Sequence, residues 1–335
     1  MNLTLVAPYL LSLLPVLALL ATLVVLDSYA LVPLHMVALM LGGGVAMAIA
    51  SYFVNAWLMQ LFGMRVQEYS RFAAPLVEEA LKALVIVWLI RRHRIGFLVD
   101  AAILGFALGS GFALLENTYA VWRIPNAGMS AWIIRGFGTA IMHGGATASF
   151  ALVSLAILER DERQGFFALL PGFAAAAAVH STFNHLIHAP GLAAGVMLLA
   201  VPLLLMFAWH RGEQALGDWL GRGFDADAKL LEIINSGQFA RSPMGLYLLS
   251  LKTRFSGPIV ADLLCYLRLF TELSLRAKGI LLMRENGFEA KVDEVTQAGF
   301  AELSHLESTI GVTGLMALHP LLPMRRKALR QLYHL

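Results

Sequence analysis

Leu5–Leu26 reads LVAPYLLSLLPVLALLATLVVL, an apolar run without a single charged side chain. A bilayer core about 30 Å thick needs roughly 20 apolar residues of helix, so this run is long enough to span it. No basic segment precedes it as in a secretory signal, and it is expected to stay as a transmembrane helix. Working outward, six further runs have comparable length: Ala30–Leu61, Phe72–Ile90, Leu98–Val121, Ala131–Leu158, Phe166–Ile187 and Gly191–Trp209. The pattern predicts an all-α, polytopic membrane helix bundle of about seven spans. Gly42-Gly43-Gly44 falls inside the long second run and marks where that helix bends or splits.

Composition agrees with this reading. The 335 residues are 59% hydrophobic and 14% charged, with a mean hydropathy of +0.71. Soluble domains carry about a quarter charged residues, so a single soluble globule is excluded. The charges are also unevenly placed: residues 1–210 hold ten basic and nine acidic side chains, residues 211–335 fifteen and thirteen. Two domains follow, a membrane domain over 1–210 and a soluble, mainly helical domain over 211–335. In the second, Val260, Leu263, Leu264, Leu267, Phe270, Leu273 and Leu281 recur at helical spacing between Gly257-Pro258 and Asn286-Gly287. Shorter helices are expected around Lys229–Ile234 and Glu289–Ser308.

The net charge of +3 is small and its basic residues are scattered, which argues against nucleic acid. Arg325, Arg326, Lys327 and Arg330 read first as a solvated helix face and second as a contact to anionic lipid. A lone Cys265 excludes an internal disulfide framework. Lysine and arginine placement sets orientation. Arg91, Arg92, Arg94, Arg160, Arg163, Arg211 and Arg222 fall on one side, against Arg65, Arg71 and Arg123 on the other, with Arg135 just inside a span. The N-terminus is therefore expected outside and the C-terminal domain in the cytoplasm.

Ionisable groups inside a span are costly unless paired or facing a cavity, so each is a functional candidate. The third run contains Pro75-Leu76-Val77-Glu78-Glu79-Ala80-Leu81-Lys82, and Lys82 shares a helix face with Glu78 at i, i+4 and Glu79 at i, i+3. One carboxylate is neutralised by the ammonium; the other needs a proton, a metal or another helix. Glu116 and Asn117 lie in the fourth run one turn after Phe112. His143 precedes Gly144-Gly145 in the fifth, where close backbone approach is expected. His180 and Asn184 share a face of the sixth. At 1.5 Å per residue, Glu79, Glu116 and His180 lie roughly 8–11 Å below the outer ends of their spans. His143 joins that level, near 12 Å, if Arg135 snorkels at the boundary. Each residue alone has an ordinary reading as an intramembrane ion pair or a polar tie between helices. His185 and His188 read as interfacial, and Asp100 as a helix N-terminal residue.

Two carboxylates and two histidines at one depth suit two chemistries. In one, Glu79, Glu116, His143 and His180 hold a divalent metal such as zinc, with an open position for water. In the other no metal is bound: a buried glutamate activates water while His and Asn donors stabilise the oxyanion. Both end in peptide-bond hydrolysis, and zinc and no cofactor stand as equals. The competing classes are an ion- or proton-coupled transporter or channel, and a non-catalytic membrane scaffold.

The motifs Glu78-Glu79-x-x-Lys82, Phe112-x-x-x-Glu116-Asn117, His143 and His180-x-x-x-Asn184 resemble the PrsW family of intramembrane proteases, distant relatives of the CAAX-processing (ABI) membrane proteases. The ABI enzymes usually carry EExxxR and FxxxH; EExxK and FxxxE here match PrsW. The resemblance covers roughly residues 30–210. It implies a multi-pass protease of a bacterial cytoplasmic membrane, cutting a single-span, anti-sigma-factor-like membrane substrate; the shared outer-leaflet depth of the candidate residues adds the expectation of a cut near the outer end of that substrate. It implies catalytic roles for Glu78, Glu79, Glu116, His143 and His180, with Lys82, Asn117 and Asn184 orienting them. The C-terminal domain, outside the resemblance, is left as a site for homo-oligomer contacts or a cytoplasmic partner.

Overall fold

The computed structural model describes residues 3–92, 94–160, 162–288, 293–322, 329 and 332–333. Among these there is no strand, and the chain forms two compact units, Met1–Gly212 and Glu213–Leu335. The first contains α1 (Leu3–Leu26), α2 (Leu34–Phe62), α3 (Val66–Arg91), α4 (Leu98–Arg123), α5 (Met129–Ile134), α6 (Ile141–Arg160) and α7 (Leu170–His185). It closes with the first part of α8 (Pro190–Asn235).

Central to this unit is α4, which packs against α1, α2 and α6. Every residue from Val99 to Ala113 is buried, and the reason is its small side chains. A Cβ on Gly111 would lie 2.0 Å from the Leu41 carbonyl oxygen, and one on Gly44 2.0 Å from that of Leu108. Glycine at both positions lets α2 and α4 touch backbone to backbone, the usual device where lipid offers no hydrophobic driving force. The Gly42–Gly44 run therefore neither splits nor ends its helix: α2 is continuous, and Gly44 is its contact point.

Among the described residues, five helical stretches are long and apolar enough to cross a membrane: Val6–Leu26, Leu34–Phe62, Leu98–Arg123, Met129–Leu158 and Pro190–Asn235. Two of the seven expected spans do not meet that measure. Phe72–Ile90 lies in α3, whose middle carries Glu78, Glu79 and Lys82, and Phe166–Ile187 gives only the 16-residue α7. Both helices carry the polar site, and they pack against each other. The fifth run is not one α-helix. Arg135–Ala140 is π-helical and joins α5 to α6. Such wide turns recur at functional sites.

The second unit holds the rest of α8, then α9 (Pro243–Ser250), α10 (Gly257–Glu285) and α11 (Glu294–Leu318). α10 begins and ends at the glycine–proline and asparagine–glycine signals. The helix expected around Lys229–Ile234 is the end of α8, with no break to set it apart. α11 is kinked at Gly311 (φ 72°) and runs beyond Ser308, while 289–292 lie outside the described residues. Within this unit Lys278 is fully buried, its ammonium 2.7 Å from Asp227 Oδ2, which also accepts a hydrogen bond from Ser274. The basic group Arg325, Arg326, Lys327 and Arg330 lies outside the described residues, as do Asp161 and the side chains of Arg160, Arg163 and Arg222.

Candidate active site

The polar residues of α3, α4, α6 and α7 meet in one connected chain. Lys82 Nζ donates to Glu79 Oε1 at 2.5 Å and lies 3.2 Å from His143 Nδ1 and 4.5 Å from the Phe112 ring centre. An ammonium has donors only, so His143 Nδ1 accepts and its proton sits on Nε2. That proton points to Glu116 Oε2 at 2.6 Å. On the far side of Glu79, His180 Nδ1 donates to the same Oε1 at 2.9 Å. The other ring nitrogen of His180, Nε2, faces Glu78 Oε2 at 3.8 Å.

Adjacent positions on a helix diverge by about 100°, and this separates the glutamate pair. Glu79 turns inward, its side chain 1% exposed, with Lys82 at 0%, His143 at 1% and His180 at 3%. Glu78 and Glu116 are the open members, at 15% and 36%. Both line a cavity of about 540 Å³ between α2, α3 and α4. Buried ion pairs survive only when their remaining donors and acceptors are bonded, and the Glu79–Lys82–His143–His180 set meets that condition.

Three residues complete the chain without having been singled out as site residues. Asn55 Nδ2 donates to Glu78 Oε1 at 3.2 Å, and Tyr69 Oη donates to Asn55 Oδ1 at 2.9 Å. Arg135 donates from Nη2 to Glu116 Oε1 at 2.8 Å and from Nε to Asn117 Oδ1 at 2.9 Å. Arg135, read as lying just inside a span, sits in the π-helical turn and reaches Glu116 and Asn117 from there. An arginine just inside a span was the available signal. Asn55 gave only the weaker signal of an amide within an apolar run.

Asn117 Nδ2 donates to the Ser12 carbonyl at 2.8 Å, tying α4 to α1 while its oxygen holds Arg135. Asn184 is not at the centre. Its Nδ2 donates to the Ser70 carbonyl at 2.8 Å, and Ser181 Oγ donates to the Arg71 carbonyl at 2.7 Å. Proline at 75 has no N–H to give that carbonyl, so Ser181 replaces the missing helix bond. His185 contacts the Phe72 ring and the Ser181 carbonyl. Asp100 Oδ2 accepts the Phe97 N–H at the start of α4. Gly144 and Gly145 receive the side chains of Phe106 and Val201. The expected close backbone approach is there too: a Cβ on Gly109 would lie 2.2 Å from the His143 carbonyl oxygen and 2.8 Å from Gly144 Cα.

Glu78, His143 and His180 each offer a ligand atom within 4.8 Å of the others, a group that could hold a metal ion. This differs from the set Glu79, Glu116, His143 and His180 read from sequence. Glu79 is committed to Lys82 and to His180 Nδ1, and Glu116 to Arg135. Two imidazoles and a carboxylate are a donor set found in catalytic metal sites. The carboxylate behind His180 is the outer-shell partner that fixes a ligating tautomer. The residues present fit a metal.

The sequence matches the PrsW family intramembrane metalloproteases over residues 32–209, just over half of the chain. The chain belongs to the PrsW family. No curated protein and no solved structure matches it. As a PrsW-family member it is a membrane-embedded, multi-pass peptidase whose substrates are membrane proteins. The matched stretch contains every residue of the polar chain except Ser12, so the family's protease domain and the site coincide.

Proposed function

We propose that this PrsW-family protein hydrolyses a peptide bond near the outer end of a single-span, anti-sigma-factor-like substrate, in a bacterial cytoplasmic membrane. In this reading the N-terminus lies outside and residues 211–335 lie in the cytoplasm. The observation that carries it is the pairing of an accessible carboxylate, Glu78, with Nε2 of His180 at 3.8 Å, beside a cavity.

Glu78, His143 and His180 would hold the metal. A bound divalent ion such as zinc lowers the pKa of water and polarises a carbonyl. The chain's own residues do the rest. Glu79 fixes the His180 ring so that Nε2 faces Glu78, and Lys82 neutralises Glu79. Arg135 and His143 hold the Glu116 carboxylate in place at the cavity wall, where it is available to accept a proton from water and pass it to the leaving amine.

A glutamate mechanism without metal has its own support, because both nitrogens of His143 are already bonded, to Lys82 and to Glu116. Here Glu78 accepts the proton of a water held by His180 Nε2.

Purified full-length protein in nanodiscs, given a fluorogenic single-span substrate, tests the function. Cleavage lost in Glu78→Gln and His180→Ala, with folding intact, is expected; unchanged cleavage in both overturns it. Metal content and chelator sensitivity of the same sample separate the two mechanisms. A scissile bond mapped by mass spectrometry to the cytoplasmic end of the substrate helix would overturn the outer-end placement.

A further inference from the structure

The buried cluster meets open space through the cavity between α2, α3 and α4. Its enclosed members, Glu79, Lys82, His143 and His180, are 0–3% exposed, while Glu78 and Glu116 line the cavity wall. A peptide bond reaching the cluster by this route therefore lies in that cavity.

Its shape follows from the helix contact described above. α2 and α4 touch backbone to backbone at Gly44 and Gly111, and the cavity lies on the C-terminal side of that contact in both helices. The resulting cleft is lined by Ile49, Tyr52, Ala56 and Met59 of α2, spaced three or four residues apart on one helix face, and by Phe112 and Tyr119 of α4. Tyr52 and Tyr119 meet edge to face across its rim, ring centres 5.9 Å apart.

Length and backbone chemistry decide what fits. From Ile49 to Met59 the cleft runs about 15 Å, which accommodates four or five residues of extended peptide at about 3.3 Å each. A helical peptide bond has its carbonyl tied to its own helix, whereas an extended one is free for attack.

We propose that this cleft is the substrate-strand site: it binds an unwound stretch of four or five residues and selects a large apolar side chain next to the scissile bond. The aromatic and aliphatic walls recognise that side chain, and Asn55, Glu78 and Glu116 face the backbone. The proposal rests on the protease reading above.

The test uses full-length protein in nanodiscs and single-span substrates carrying Phe, Leu or Ala beside the cleaved bond. The wild-type chain is expected to prefer Phe and Leu. Ala56→Trp, which fills the cleft, is expected to lower the Phe-to-Ala ratio of kcat/KM roughly tenfold or more, the usual worth of an apolar pocket contact. A photocrosslinker at Tyr52 should capture the substrate, and one at Leu14, 58% exposed on α1, should not. The crosslinking stands even if Ala56→Trp misfolds. Active wild type with an unchanged ratio in a folded Ala56→Trp, or equal capture at Leu14 and Tyr52, overturns the cleft and leaves the protease reading standing. A wild-type chain that cleaves nothing overturns the protease reading, while crosslinking still decides the cleft.

Discussion

Lys82 Nζ lies 3.2 Å from His143 Nδ1, and this contact decides which imidazole nitrogen carries the proton. The same ammonium neutralises Glu79, so one buried cation organises both the α3 carboxylate and the α6 histidine.

Removing that cation should be costly. Lys82→Met leaves Glu79 buried without its countercharge, and a loss of about 3–5 kcal/mol is expected, read as a fall in the midpoint of thermal unfolding in nanodiscs. Glu79→Gln combined with Lys82→Met should recover most of that stability without recovering cleavage. A single Lys82→Met that unfolds like the wild type would show that the pair is not energetically buried.

The two glutamates of α3 should separate in their effects. Glu78→Gln retains an oxygen for Asn55, and the side chain is partly open. Its stability should hardly change while cleavage falls by about 10²–10⁴. Glu79→Gln should lose stability as well as cleavage, because Lys82 is then the unpaired charge. Equal unfolding midpoints for the two variants would contradict the inward and outward assignment.

Ser181 and Asn184 are expected to be structural. Ser181→Ala leaves the Arg71 carbonyl without a donor, at a cost of about 1–3 kcal/mol. Asn184→Ala should likewise lower stability yet leave kcat of the folded protein within a few-fold of wild type. A drop of 10²-fold in kcat for Asn184→Ala, at unchanged stability, would instead place its amide on the reacting atoms.

Backbone contact between α2 and α4 predicts a steep dependence on position. A Cβ at Gly44 meets the Leu108 carbonyl at 2.0 Å, whereas one at Gly43 meets only the Leu108 Cδ1 at 3.4 Å. Gly44→Ala should therefore cost about 3 kcal/mol or more, and Gly43→Ala close to nothing. Similar unfolding of the two variants would mean that the helices do not cross there.

The helices and most of the site were legible because both depend on local pattern. Apolar length predicts membrane helices, and a period of 3.6 places Lys82 beside Glu79 and His180 above Asn184. Shared depth placed Glu79, Glu116 and His180 at one level, with His143 joining them if Arg135 snorkels, and hydrogen bonds through Lys82 link the four. Asn55, Tyr69 and Arg135 were not read as site residues, since their importance lies in partners 14 to 23 positions away in sequence. Asn184 shares the face of His180 as the spacing implies, and its amide reaches the Ser70 carbonyl, one of the carbonyls near Pro75 that lie along that face as well.

Sequence alone determined that the chain is a helical membrane protein with the motifs of a PrsW protease, because hydropathy, helical period and residue spacing are carried along the chain. Only the tertiary structure decided that Glu78 faces the cleft while Glu79 is enclosed. Neighbouring side chains on a helix diverge by about 100°, and the rotation of α3 about its axis is set by its packing against α2, α6 and α7.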